Sequence, residues 1–205
     1  MKNSKIFFPI IVFLFAALSL KAQQGENHFN ISYSAALPTG SFKNIVSSNS
    51  FRGFSTGFLH GISDKVSIGL ATGFQDFYQK YPRQLYKLSD GSDLSAVVTY
   101  SIQTIPILAE VKYNFAPGGA VQPYANFGAG ANFISYDQLF GEFGNKNAKV
   151  GLVASPELGL HIPFSKNGAG FDIGASYNVM TFKQDDFKNL NNIGLHAGFN
   201  IPMRK

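Results

Sequence analysis

"NNIGLHAGFNI", residues 191–201, alternates from end to end. Ile193, Leu195, Ala197, Phe199 and Ile201 are apolar, and Asn192, Gly194, His196, Gly198 and Asn200 between them are polar or lack a side chain. A period of two specifies a strand with one apolar face and one wet or crowded face. The fold turns on which solvent meets the apolar side.

The same alternation recurs along the chain. It runs through Phe29–Leu37, 65–76 (Val66, Ile68, Leu70, Phe74), 121–134 (Ala125, Phe127, Ala129, Phe133), 148–162 (Val150, Leu152, Leu158, Leu160) and 169–180 (Phe171, Ile173, Tyr177, Val179). Two less regular segments, 52–61 and 97–113, bring the total to eight strands. The connections between them, about 14, 3, 20, 7, 13, 6 and 10 residues, alternate long and short. Such a pattern predicts loops on one side and clipped turns on the other. Turn chemistry fills the short ones: "GISDK" at 61–65, "APGGA" at 116–120 and "SKNGAG" at 165–170. The expected fold is all-β, an eight-stranded antiparallel up-and-down barrel with both ends of the chain on the short-turn side.

A soluble lipocalin-like barrel points apolar side chains inward, and a transmembrane barrel points them outward. Gly, Ala and Ser dominate the non-apolar face, interleaved with Glu110, Lys112, Glu157, Asp172 and His196. A soluble surface would carry far more Lys and Glu, whereas small residues with a few pairable charges fit a narrow lumen. The sequence is therefore read as transmembrane, with Phe127, Leu158, Ile173, Leu195 and Phe199 toward lipid and Asn126, Glu157, Asn178 and His196 toward the lumen.

The start of the chain agrees with export. Lys2 and Lys5 precede an apolar run from Ile6 to Leu18 and a small residue at Ala22, the anatomy of a signal peptide over 1–22. That run is too short for a membrane-spanning helix, which needs about 20 residues. Residues 23–205 are then the barrel domain. Residues 1–22 carry three of the 17 Lys and Arg and none of the 12 Asp and Glu, so 14 basic face 12 acidic side chains in the remainder. That near-balance gives no basis for nucleic-acid binding. The chain has no cysteine, which excludes disulfides, a cysteine-ligated metal and a lipid-anchored cysteine. It also has 21 Gly, 21 Phe, nine Tyr and only 14% charged residues, a composition suited to strands in lipid.

With these motifs in view the chain resembles the small outer-membrane β-barrel proteins common in Bacteroidota, similar in architecture to the OmpA transmembrane domain and OmpX. The resemblance rests on the "AQQ" junction, "LPTGSFKN" (37–44), "IPILAEVKYNF" (105–115), "PYANFGAGANF" (123–133) and "SPELGL" (155–160). It implies a monomer in the outer membrane, surrounded by lipid and lipopolysaccharide and inserted by the barrel-assembly machinery. That machinery reads a last-strand aromatic, which places its signal at Gly194 and Phe199. Six residues follow Phe199, a departure from a strictly terminal aromatic.

Candidate chemistry concentrates in the lumen. Glu110, Lys112, Tyr124, Asn126, Glu157 and His196 are expected to form a polar network that plugs the barrel, with Lys112 the cation nearest the two carboxylates, because a charge in a narrow barrel must be paired. A paired-carboxylate catalyst is the alternative, and a filled eight-strand lumen leaves it little room for substrate. Lipid-modifying barrel enzymes of the deacylase type need Ser and His together on the lipid face, where His60 is the only His and Ser63 lies in a turn. Residues 78–95 are read as a surface loop in which Lys80, Tyr81, Arg83, Tyr86 and Lys87 either contact an acidic or host-surface partner or fold back on the rim. Asp90, Asp93, Asp185 and Asp186 lack calcium-loop spacing, and no cofactor or metal is expected. The expected function is a structural or surface-interaction barrel and not an enzyme. Its alternatives are a narrow channel, a lipid-modifying enzyme or a soluble carrier of an apolar ligand.

Overall fold

A computed structural model describes residues 25–87, 93–140, 143–164, 168–184 and 187–203. Residues 1–22, read above as a signal peptide, lie outside that description. The strands are β1 (Asn27–Pro38), β2 (Ser50–Gly61), β3 (Val66–Lys87), β4 (Asp93–Asn114), β5 (Gln122–Phe140), β6 (Phe143–Pro163), β7 (Gly170–Gln184), β8 (Phe187–Asn189) and β9 (Asn192–Met203). One helical turn, α1 (Gly40–Lys43), follows β1. Sequential antiparallel pairing joins β1 through β7, and β9 pairs with both β7 and β1. Eight strands thus close a barrel, and the short β8 hangs from the upper end of β7.

The clipped turns set the registers. Ala116–Gly119 closes through a 3.2 Å bond from the Gly119 amide to the Ala116 carbonyl. Pro117 takes the second position and Gly118, at φ 80°, the third, the residue order of a type II turn. Between β6 and β7 the turn fixes Pro163 opposite Gly170, which places His161 directly opposite Asp172.

Side chains then follow the pleat. Phe127, Leu158, Ile173, Leu195 and Phe199 point outward and are exposed. Their partners in the alternation point inward, Asn126, Glu157, Asn178 and His196 among them, all lining the lumen. Leu158, 67% exposed, sits opposite Ala125 and Ala175 within the apolar band. Leu158→Arg should therefore lower stability, by up to the about 2–4 kcal/mol that an arginine costs on the lipid face of such a barrel. Denaturant titration of the barrel in lipid vesicles checks this, and a cost below that of Arg at an exposed position above the band would contradict the assignment.

The apolar band has a sharp upper border. Outward-facing Ile105 pairs with Phe133, and Phe133 with Val150. One pair higher, Gln103 faces Ser135 and Ser135 faces Ala148. From Ile105 down to Tyr113 is nine residues of β4, the length of a tilted transmembrane strand. Above the border the pattern inverts. Ile102, Ile134 and Tyr136 point inward and are buried, while Ser101, Gln103 and Ser135 point outward. The same strands that are apolar outside and polar inside in the membrane become polar outside and apolar inside above it.

Consequently the segment 78–95 is mostly not a loop. β3 runs to Lys87 and β4 starts at Asp93, paired from Tyr81↔Val98 to Lys87↔Asp93 across a register shift. Lys80, Tyr81 and Arg83 are strand residues, as are Tyr86 and Lys87, whose side chains lie outside the description. The long outer connections expected between strands 3 and 4 and between strands 5 and 6 are instead hairpin extensions. The reason is that inward apolar residues give those segments a core of their own.

That core closes the upper mouth. α1 and the residues after it bring in Phe42 and Val46, and the β8 hairpin brings in Phe187 and Leu190, all buried. Phe42 meets Phe77 edge to face at 5.0 Å, and Phe187 stands against Tyr136 at 5.4 Å and Tyr100 at 5.8 Å. Such aromatic contacts add to the burial of large apolar surfaces.

Candidate functional site

The lower lumen is built from the inward residues of β4, β5, β6, β7 and β9. Nearest the short turns, Asp172 is the hub. Its Oδ2 lies 3.2 Å from Lys112 Nζ and accepts from Asn200 Nδ2 at 3.4 Å, and its Oδ1 is held by His161 Nδ1. His28 Nδ1 joins Asn200 Oδ1 at 2.8 Å. Both members of the Lys112–Asp172 pair are nearly excluded from solvent, so the charge is matched where it cannot be hydrated. The Lys112 ammonium also sits 3.8 Å from the centre of the Tyr124 ring, a cation–π contact.

One layer up, the Tyr124 hydroxyl and His196 Nε2 are 3.2 Å apart, and His196 Nδ1 lies 3.7 Å from Glu157 Oε2. Asn126 lies beside Glu110. Glycines make the room: a Cβ at Gly159 would stand 2.4 Å from the Tyr124 ring, and one at Gly174 2.5 Å from the His196 ring. Higher still, Ser155, Ser176, Asn178 and Asn192 are linked, with Asn178 Oδ1 accepting from Ser155 at 2.7 Å and its Nδ2 donating to Asn192 at 2.8 Å.

The structure thus brings Glu110, Lys112, Tyr124, Asn126, Glu157 and His196 to a single cavity of about 160 Å³. Lys112, however, is committed to Asp172 rather than to the glutamates, which corrects the pairing expected from sequence proximity. Asp172, His161, Asn200 and His28 were missing from the expected network. The brevity of the β6–β7 connection carried the signal, since pairing Pro163 with Gly170 forces His161 opposite Asp172. The cavity is roofed by the apolar core, and Asn30 Oδ1 and Asn126 Oδ1 are buried without a protein partner. Polar walls of this kind suit a small cluster of water.

Other candidate residues are placed elsewhere. His60 Nδ1 bonds Asn27 Oδ1 at 2.7 Å, and Ser63 Oγ accepts the amide of Val66 at 3.1 Å, so the two are engaged separately. Lys80 and Arg83 are exposed on the outer face above the border, whereas the Tyr81 hydroxyl donates to the Ile45 carbonyl at 2.6 Å. Phe199 points to lipid and packs on Phe171 at 5.8 Å, and Gly194 lies in the same strand, close against Ser176. Among the described residues no group of His, Asp and Glu is arranged to hold a metal ion.

Residues 10–200 match the family described as outer membrane protein beta-barrel domain. The chain belongs to that family. It is therefore an integral β-barrel of the outer membrane, and the short turns mark the periplasmic side. Neisserial surface protein A (NspA) is similar in fold, with a TM-score of 0.57 and 15% identity over 87% of this chain and 97% of that one. Outer membrane protein W of E. coli gives a TM-score of 0.47 and 13% identity over 87% and 98% of the two chains. Ail of Yersinia pestis, the attachment invasion locus protein, gives 0.46 and 15% over 86% and 97%. No curated protein matches the chain.

Proposed function

We propose that the protein is a non-conducting, non-enzymatic scaffold that holds a rigid sheet above the outer leaflet for contact with other molecules. The observation that carries this reading is the stacking of two plugs in one lumen. Below lies the Asp172-centred polar layer, above lies the aromatic core, and a cavity of about 160 Å³ separates them. A hydrated path from mouth to mouth would have to break both. β3 and β4, at 22 residues each, are about twice the length needed to cross the bilayer, so half of each is available as a surface platform. Insertion by the barrel-assembly machinery through Phe199, and a monomeric state within lipid and lipopolysaccharide, complete the proposal.

Planar-bilayer recording of the purified protein tests it. The expected result is no steady conductance step at neutral pH. A reproducible, well-resolved open level in the unmutated protein would overturn the scaffold reading in favour of a narrow channel.

A further inference from the structure

The charges around the lumen cavity do not balance. Among the described residues that line it, Glu110, Glu157 and Asp172 are carboxylates and Lys112 is the one ammonium. That ammonium is committed to Asp172 at 3.2 Å. Glu110 and Glu157 are near enough for each charge to act on the other, and like charges in a poorly hydrated space repel unless something positive lies between them. The protein supplies neutral donors. Asn126 donates to Glu110 and the Tyr124 hydroxyl to Glu157, while His196 Nδ1 stands 3.7 Å from Glu157.

Three adjacent strands bring oxygens to one place. Glu110 on β4 pairs with Gly128 on β5, and Glu157 on β6 pairs with Asn126 on β5. Because Gly128 has no side chain, Glu110 leans across β5, with its Cγ and Oε1 each 3.5 Å from where a Cβ would stand. Asn126 therefore lies on the strand between the two carboxylates. Its Oδ1 and that of Asn30, both in the wall of this cavity, are shut off from solvent and accept from no protein donor. A buried oxygen left in that state is costly, and these two share the compartment with the two unmatched carboxylates.

We propose that the cavity binds one divalent hard cation of the calcium class, held by the carboxylates of Glu110 and Glu157 and the amide oxygen of Asn126, with water completing its shell. Two positive charges offset the two carboxylates that Lys112 leaves unmatched. Calcium takes about six to eight oxygens in a flexible arrangement, mixing carboxylates, amide carbonyls and water, and about 160 Å³ holds the ion with several waters. No third carboxylate or imidazole among the described residues completes a metal-binding group, which leaves the donor set short of what zinc or a redox metal selects. The inference goes beyond the scaffold reading and depends on neither the raised sheet nor the conductance.

The test refolds the full barrel from urea into zwitterionic nanodiscs in radioactive calcium chloride alone, then brings it to equilibrium by dialysis. One ion per barrel should be bound, above the level of protein-free nanodiscs. Glu110→Gln/Glu157→Gln should lose it, and Asn126→Asp should bind at least tenfold more tightly. Heat-dependent gel migration shows whether each variant is a closed barrel. A second measurement needs no variant: the urea midpoint of the unmutated protein should rise with calcium and stay put in sodium chloride of equal ionic strength. A barrel that binds no calcium, its glutamates neutralised by protons alone, would overturn the proposal. So would an ion retained by the double Gln variant, or a urea midpoint indifferent to calcium.

Discussion

Asp172→Leu should cost about 3–5 kcal/mol, because it leaves the Lys112 ammonium buried without its counter-charge. Lys112 has no second carboxylate within ion-pair distance among the described residues, and the Tyr124 ring beneath it offers only a partial substitute. His161 and Asn200 would lose their acceptor at the same time. The double variant Lys112→Met/Asp172→Leu should recover most of the loss, since an apolar pair of similar volume often replaces a buried ion pair without penalty. Glu157→Leu is expected to cost less than Asp172→Leu, because the partner of Glu157 is a histidine at 3.7 Å that can remain neutral. Unfolding in urea followed by circular dichroism measures all three. A cost below about 1 kcal/mol for Asp172→Leu would mean that the Lys112–Asp172 pair does not organise the lower lumen.

Phe77→Ala should remove about 3–5 kcal/mol from the upper core, the usual cost of emptying a fully buried phenylalanine site. Phe77 is 0% exposed and packs edge to face on Phe42, so its loss also loosens the residues that α1 contributes. Because the upper core is separate from the lower lumen, the effect should be regional. Amides of 98–102 and 134–136 should exchange about two to four orders of magnitude faster, in line with the increased open population. Those of 157–160 should stay unchanged. Equal acceleration in both regions would show that the barrel opens as a single cooperative unit.

Why the membrane half was legible and the upper half was not comes down to phase. Ile105, Ile107, Ala109, Val111 and Tyr113 keep to odd positions, so their strand and its lipid side follow from alternation alone. Upstream, Ala96, Val98, Tyr100 and Ile102 keep to even positions. The flip between Ile102 and Ile105 looks like the end of a strand, yet the backbone continues straight through it. Only the solvent on the two faces has been exchanged. The same reversal at Phe133/Ile134 hid the upper part of β5. In the lumen, residue types and face were readable for Glu110, Glu157 and His196, because face depends only on parity. Partners depend on cross-strand register, so Lys112 was assigned by nearness in sequence when Asp172, 60 positions away, holds it.

The exchange of faces at Ile105, Phe133 and Val150 also fixes how deep the barrel sits. Sliding it inward by one residue pair, about 5 Å of depth, would carry Gln103 and Ser135 into hydrocarbon. Sliding it outward by the same amount would put Ile105, Phe133 and Val150 in water. A barrel with a uniform outer face could settle its mismatch with a thick or thin bilayer by bobbing or tilting. This one penalises displacement in both directions, so the adjustment falls to the lipid. Acyl chains around it must stretch or compress to meet the border, at a fraction of a kcal/mol per Å. The protein thereby carries a built-in depth mark against the outer leaflet, and the lipid around it should adjust to that mark.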